Sequence, residues 1–113
     1  MILLNRKSER AQSSLRRLQD EVPDGSFTAI ACDLQNLDSV RSAIDTIKTN
    51  HNVLDVLVNN AGVMAMKDQA TVDGYDVQMQ TNVLSHFLLT KELFPLLKKS
   101  KEGRIVNHSS MAR

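Results

Sequence analysis

Cysteine occurs once, at Cys32, so no disulfide can form within the chain and a cysteine-rich metal site is excluded. Aromatic residues make up only 4%, too few to build a base-stacking platform for nucleic acid. Neither sign of charge dominates. The 14 Lys and Arg face 13 Asp and Glu, and a net charge of +1 removes bulk charge as an argument for a nucleic-acid partner. No apolar run approaches the ~18–20 residues that span a bilayer. The opening run, Ile2-Leu3-Leu4, is too short for a signal peptide. Repeats, low-complexity tracts and a Gly/Ser linker are absent as well. What remains is ordinary globular composition, 42% hydrophobic and 24% charged over 113 residues, about one small domain. The expectation is one domain over residues 1–113, in an intracellular, cytoplasmic setting, with no membrane segment.

Short apolar runs alternate with longer helical patterns. Ile2-Leu3-Leu4, Phe27 to Cys32, Leu54 to Val58 and Ile105 to His108 read as strands. Ser8 to Glu21 carries Ala11, Leu15 and Leu18 on one helical face, and Asp38 to Asn50 carries Val40, Ile44 and Ile47. A third helical pattern runs from Asp73, its expected N-cap, to Lys99, with Pro95 expected to bend or interrupt it. Strand and helix in strict alternation specify an α/β fold with a parallel sheet and crossover helices. The near-continuous apolar strands imply burial on both faces.

In such sheets ligands bind beyond the carboxyl ends of the strands. Four polar clusters fall there: Asn5-Arg6, Asp33, Asn59-Asn60-Ala61-Gly62 and Ser109-Ser110. A parallel sheet brings them to one rim. Taken alone, Asn59 to Gly62 is equally well a plain strand-to-helix turn, in which asparagine bonds its own backbone and glycine permits close approach.

Together with Asp33-Leu34, Asn82 and the run Arg104 to Ser110, the Asn59-Asn60-Ala61-Gly62 motif gives the chain a pattern that resembles the short-chain dehydrogenase/reductase family throughout its length. Gly74-Tyr75-Asp76 and Ser85 to Thr90 are most similar to the retinol-dehydrogenase-like branch. The resemblance implies a Rossmann-like doubly wound sheet and an NADP-dependent oxidoreductase acting on a carbonyl or alcohol. It implies that Asp33, with Leu34 beside it, accepts a hydrogen bond from the adenine amino group. Asn60, Ala61 and Gly62 are then the backbone stretch along the adenine-side ribose. Asn82 resembles the asparagine that holds a water in the proton relay, and Ser110 the serine that bonds the substrate carbonyl, where a donor stabilises developing charge. Ser109 reads as a strand-end residue on the other face.

At the end of the first strand stands Asn5, with no carboxylate to repel a phosphate, and Arg6 offers a permanently charged fork. NADP is therefore expected ahead of NAD, although Arg6 is also readable as a solvated arginine at a helix start. Arg10, Arg16 and Arg17 read as a solvated helix face, His51 as a solvated helix-end residue, and Cys32 as buried and inert. His86 and His108 are not spaced as a metal pair, so no metal is expected. Met64, Met66 and Met111 flank the rim and suit a substrate pocket, while ordinary packing is the simpler reading.

The family's glycine-rich phosphate loop belongs before Ile2, and its Tyr and Lys, four residues apart, belong about a dozen residues after Ser110. Neither lies within these residues. The one tyrosine, Tyr75, is followed four positions later by Met79. The chain is thus expected to be the central part of a reductase, inactive by itself, its four strands in two pairs because the family's central first strand is not among them. The alternative expectation is a catalytically dead nucleotide-binding or interaction module. Retinoid, steroid, lipid aldehyde and pigment substrates all stay open.

Overall fold

The structure, a computed structural model, describes residues 1–111. Along the chain run β1 (Ile2–Asn5), α1 (Glu9–Glu21), β2 (Thr28–Ala31), α2 (Leu37–Asn50) and β3 (Val56–Asn59). A long helical stretch follows, made of α3 (Val77–Met79), a π turn (Gln80–Leu84) and α4 (Ser85–Lys98), and β4 (Arg104–Asn107) comes last. The first three helices begin where a side chain takes up an orphan backbone N–H. Ser8 accepts from Ala11, Asn36 from Asp38 and Ser39, and Asp76 from Met79.

One expectation for the long helix is corrected, and the interruption allowed at Pro95 does not occur. Its cap is Asp76, not Asp73: the Asp73 carboxylate is engaged by the Leu37 N–H and the Gln80 amide, and Gly74 (φ 85°) turns the chain between the two aspartates. Pro95 does not interrupt α4, which continues to Lys98. Pro95 and Lys91 are both exposed, so the Lys91 carbonyl that loses its N–H partner lies on the solvent side, where water can satisfy it. The irregularity sits earlier, where the Ser85 N–H reaches back to the Gln80 carbonyl across the π turn.

β1 pairs in parallel with β2, from Ile2↔Thr28 to Asn5↔Ala31, and β3 with β4, from Val56↔Arg104 to Asn59↔Asn107. No ladder joins the two sheets among the described residues. These are the two pairs the sequence leads one to expect. The sheets are bridged by helices. Val40, Ala43, Ile44 and Ile47 of α2 meet Leu89, Leu93, Leu96 and Leu97 of α4 in one core with Cys32 and Leu57. Ile2, Leu4 and Ile30 of the first sheet and Ile105 of the second pack against it.

α1 lies over the other face of the first sheet. Its Ala11 and Leu15 line a cavity of about 220 Å³ with Leu3, Ala29 and Ala31, which alternate with the core-facing side chains. Helices on both faces of parallel strands give the Rossmann-like α/β architecture. Burial on both faces is incomplete, however. No residue of α1 is buried, because the small alanines beneath it leave that cavity. Val56, Val58 and Val106 are 46%, 57% and 47% exposed, because α2 and α4 both pack on the Leu57 side.

Candidate functional site

The carboxyl ends of β1, β2 and β3 open onto one cavity of about 320 Å³. Its wall is built from Leu4 to Arg6, from Cys32 to Gln35, from Ala61 to Val63, from Thr81 in the π turn, and from Ser8, Arg10, Ala11 and Ser14 around the start of α1. Three segments far apart in sequence converge because parallel strands end on the same side.

The charged groups on this wall are Arg6, Arg10 and Asp33. Neither arginine makes an ion pair among the described residues. Asp33 is fixed at both ends. Its backbone N–H donates to Ser39 Oγ at 2.9 Å, and its Oδ1 accepts from the Gln35 N–H at 2.9 Å, which leaves Oδ2 for a further donor. The Thr81 hydroxyl is buried without a hydrogen-bond partner, an orphan on the cavity wall of the kind that a bound polar group satisfies.

The asparagine-rich turn after β3 is divided in its duties. Asn59 is buried, and its Nδ2 donates to Thr90 Oγ1 (3.0 Å) and Asn107 Oδ1 (2.9 Å), tying β3 to α4 and β4. Asn60 is exposed, and its Oδ1 lies 2.6 Å from His108 Nδ1. Asn82 grips the turn from behind: its Oδ1 accepts from the Val63 N–H at 2.8 Å and its Nδ2 donates to the Val63 carbonyl at 2.9 Å. A Cβ on Gly62 would touch Asn82 Oδ1 at 3.4 Å, so the backbone runs close past that side chain. The His86 imidazole donates to the Asn82 backbone carbonyl. Burial outweighs that bond and holds its pKa below the usual histidine value.

The structure therefore brings Arg6, Asp33, Leu34, Ala61 and Gly62 onto one wall, with Asn82 immediately behind it. Asn60 is turned toward His108, and Ser110 stands exposed beyond β4, outside the cavity lining. Arg10, read from the sequence as a solvated helix face, lines the cavity with Ser14, one helical turn away. The i,i+4 spacing of Arg10 and Ser14 places them on one face of α1, but which way that face points depends on how α1 lies on the first sheet. Met64 and Met111, for which packing was the simpler reading, are 75% and 97% exposed and belong to no core. Cys32 is buried as expected. Burial and the neighbouring Asp33 push its thiol up to about 11.

The sequence profile of the short chain dehydrogenase family matches residues 1–113. Human retinol dehydrogenase 13 is 37% identical over 99% of this chain and 34% of its own length. An oxidoreductase of Schizosaccharomyces pombe, C736.13, is 36% identical over 97% of this chain and 34% of its own. Among solved structures, a metagenomic short-chain oxidoreductase in complex with NADP superposes with a TM-score of 0.77 at 29% identity, covering 98% of this chain and 51% of that one. The chain spans about a third of the length of the curated relatives it matches. With its α/β fold, its paired parallel strands and its rim of polar turns, the chain belongs to the short-chain dehydrogenase family, in the retinol-dehydrogenase-like branch.

Proposed function

We propose that this chain carries the adenosine-side half of the dinucleotide site of an NADP-dependent oxidoreductase that acts on a small-molecule carbonyl or alcohol. The observation that carries the reading is the cavity at the strand ends, where two unpaired guanidiniums, Arg6 and Arg10, stand across from an oriented carboxylate, Asp33. The wall suits an adenosine 2′-phosphate. It offers charge for the phosphate, an acceptor for an amino group, the orphan Thr81 hydroxyl for a further polar contact, and the side-chain-poor Ala61-Gly62 stretch for close approach to a ribose. A solved relative, the metagenomic oxidoreductase, holds NADP, which supports the reading.

The nicotinamide, when bound, supplies the hydride. The residues of this chain orient and polarise. Arg6 binds the 2′-phosphate, and Asp33 accepts from the adenine amino group with Leu34 beside it. The backbone of Asn60, Ala61 and Gly62 lies along the ribose. The Asn82 side chain is committed to Val63, so its part in holding a relay water falls to its main-chain carbonyl, which also receives the His86 imidazole. Ser110 donates to the substrate oxygen. Proton delivery to that oxygen needs a general acid, and the only tyrosine, Tyr75, leads into α3 away from the cavity lining. The 113-residue polypeptide is accordingly assigned binding without turnover. The test is a titration of the polypeptide with adenosine 2′-phosphate and with adenosine. The phosphate is expected to tighten binding by about tenfold, as a charge-assisted contact worth ~1.5 kcal/mol requires, and Arg6→Ala to erase that gain. Equal affinity for the two nucleosides, or an Arg6→Ala variant that keeps the gain, refutes the assignment.

A further inference from the structure

Gln80 is the largest fully buried polar side chain of the described residues, 0% exposed, and it does not itself line the cavity. Its carboxamide is nevertheless fully used. Nε2 donates to the Leu34 carbonyl at 3.2 Å and to Asp73 Oδ2 at 2.9 Å, while Oε1 accepts from the Thr71 hydroxyl. The same two acceptors are held a second time. Ser85 Oγ donates to the Leu34 carbonyl at 2.6 Å, and Asp73 Oδ2 accepts the Leu37 N–H at 2.8 Å, at the first residue of α2. The Leu37 N–H and the Gln80 amide keep the Asp73 carboxyl below its usual pKa, so it serves as an acceptor throughout the neutral range.

The turn between β2 and α2 is therefore clamped at Leu34 and at Leu37 by the π turn and the loop before it. Asp33 is the residue immediately before the first clamp. Its side chain bonds the Gln35 N–H and its backbone N–H bonds Ser39 Oγ, both within the turn and helix that the Leu34 and Leu37 clamps hold, so the direction of Oδ2 follows where that turn is held. An amide is the group this position needs. A glutamate would set a carboxylate against both the Asp73 carboxylate and the Leu34 carbonyl, and an apolar residue would leave both acceptors short of a donor.

We propose that Gln80 is a positioning residue for base recognition: by holding Leu34 it aims the Asp33 carboxylate into the cavity, so that a 6-amino purine is accepted and a 6-oxo purine refused. The proposal rests on the nucleotide reading above and deepens it. An adenine amino group donates to the carboxylate, whereas the hypoxanthine oxygen would face it as a second acceptor. A displaced Leu34 lets Asp33 swing away, and the distinction between the two bases is lost.

The experiment titrates the isotope-labelled 113-residue chain with adenosine 2′-phosphate, inosine 2′-phosphate and adenosine, followed by amide NMR shifts, for the wild type, Gln80→Leu and Ser85→Ala. The wild type is expected to favour the adenine compound over the hypoxanthine one by about tenfold. In Gln80→Leu that ratio falls to near one, while the gain from the 2′-phosphate, read against adenosine, stays in place. Ser85→Ala, which removes the second donor to the same carbonyl, lowers the ratio by about two- to threefold and decides the matter if Gln80→Leu does not fold. A general loosening of the structure would weaken all three ligands together and leave the ratio intact, and that result overturns the role of Gln80. A wild type that binds neither nucleotide overturns the nucleotide reading and this inference with it, whereas one that binds both equally with the 2′-phosphate gain intact overturns this inference alone.

Discussion

Gly103 is where the fold tolerates least. The chain leaves α4 and returns into β4 with the Gly103 backbone lying against the Leu97 carbonyl. A Cβ placed there would stand 2.3 Å from Leu97 O and 3.1 Å from Leu97 C. Both atoms are backbone, and that carbonyl already accepts from the Ser100 N–H at 3.2 Å, so no side chain can swing aside. Ordinary contact begins at 3.4 Å, so in Gly103→Ala the turn must open by about 1 Å. The displacement reaches the Arg104 N–H to Asp55 carbonyl bond (2.9 Å) and the short β3–β4 ladder beyond it. Overpacking in a closed site costs about 1–3 kcal/mol, and a backbone obstacle puts this case near 3. Gly25 supplies the control. A Cβ there meets the edge of the Phe27 ring at 2.7 Å, a side chain that can rotate, so Gly25→Ala is expected to cost about 1 kcal/mol or less. Urea unfolding followed by far-UV circular dichroism measures both. A Gly103→Ala chain that unfolds within about 0.5 kcal/mol of wild type, or no earlier than Gly25→Ala, refutes the steric argument.

Leu93, 1% exposed at the α2–α4 contact, is expected to cost about 2–5 kcal/mol on truncation to alanine, measured by the same unfolding curves; a loss under 1 kcal/mol would mean the two helices close over the void. Burial holds the folded pKa of His86 below the ordinary 6.5, so its contribution to stability is present above that value and is lost as pH falls through the lower, folded pKa. The melting temperature should therefore drop between about pH 7 and pH 5, and His86→Gln should flatten that drop; an unchanged slope in the variant contradicts it. Cys32, 4% exposed with its thiol at about 11, should resist a thiol-alkylating reagent at pH 8 in the folded chain and react readily in urea. Equal rates in both states would show that the core around α2 opens freely.

The parallel pairing, the buried face of α2 and the gathering of Arg6, Asp33 and Gly62 at one rim were all legible in the sequence, because each follows from local periodicity and from the rule that crossover-linked strands end on one side. What escaped depends on contacts between distant residues. Asp73 has the composition of a cap, but its carboxylate is claimed by the Leu37 N–H, 36 residues away, and no local pattern announces that. Gln80 carries a polar side chain into the interior only because the π turn shifts the helix face there. Val56 and Val58 read as buried on both sides, since an apolar run records what a strand is suited to touch and not what the folded chain sets beside it. Arg10 is exposed, as a solvated helix face implies, and the placement of α1 over the first sheet also sets it on the cavity wall.

The separation of the strands into two sheets gives the cavity a mechanical character. Arg6 and Asp33 hang from one sheet, Ala61 and Gly62 from the other, and the layer common to both is the α2–α4 contact. The width of the cleft is then set by how the two sheets are held, with the helix pair as their axle and the Gln80 and Ser85 bonds to the Leu34 carbonyl as a brace. A ligand lying across the seam works as a rivet: at a concentration one hundred times its Kd it adds about 2.7 kcal/mol against unfolding. Slack in the axle, as from a smaller residue at position 93, would widen the cleft and weaken the rivet without altering a single residue on the wall.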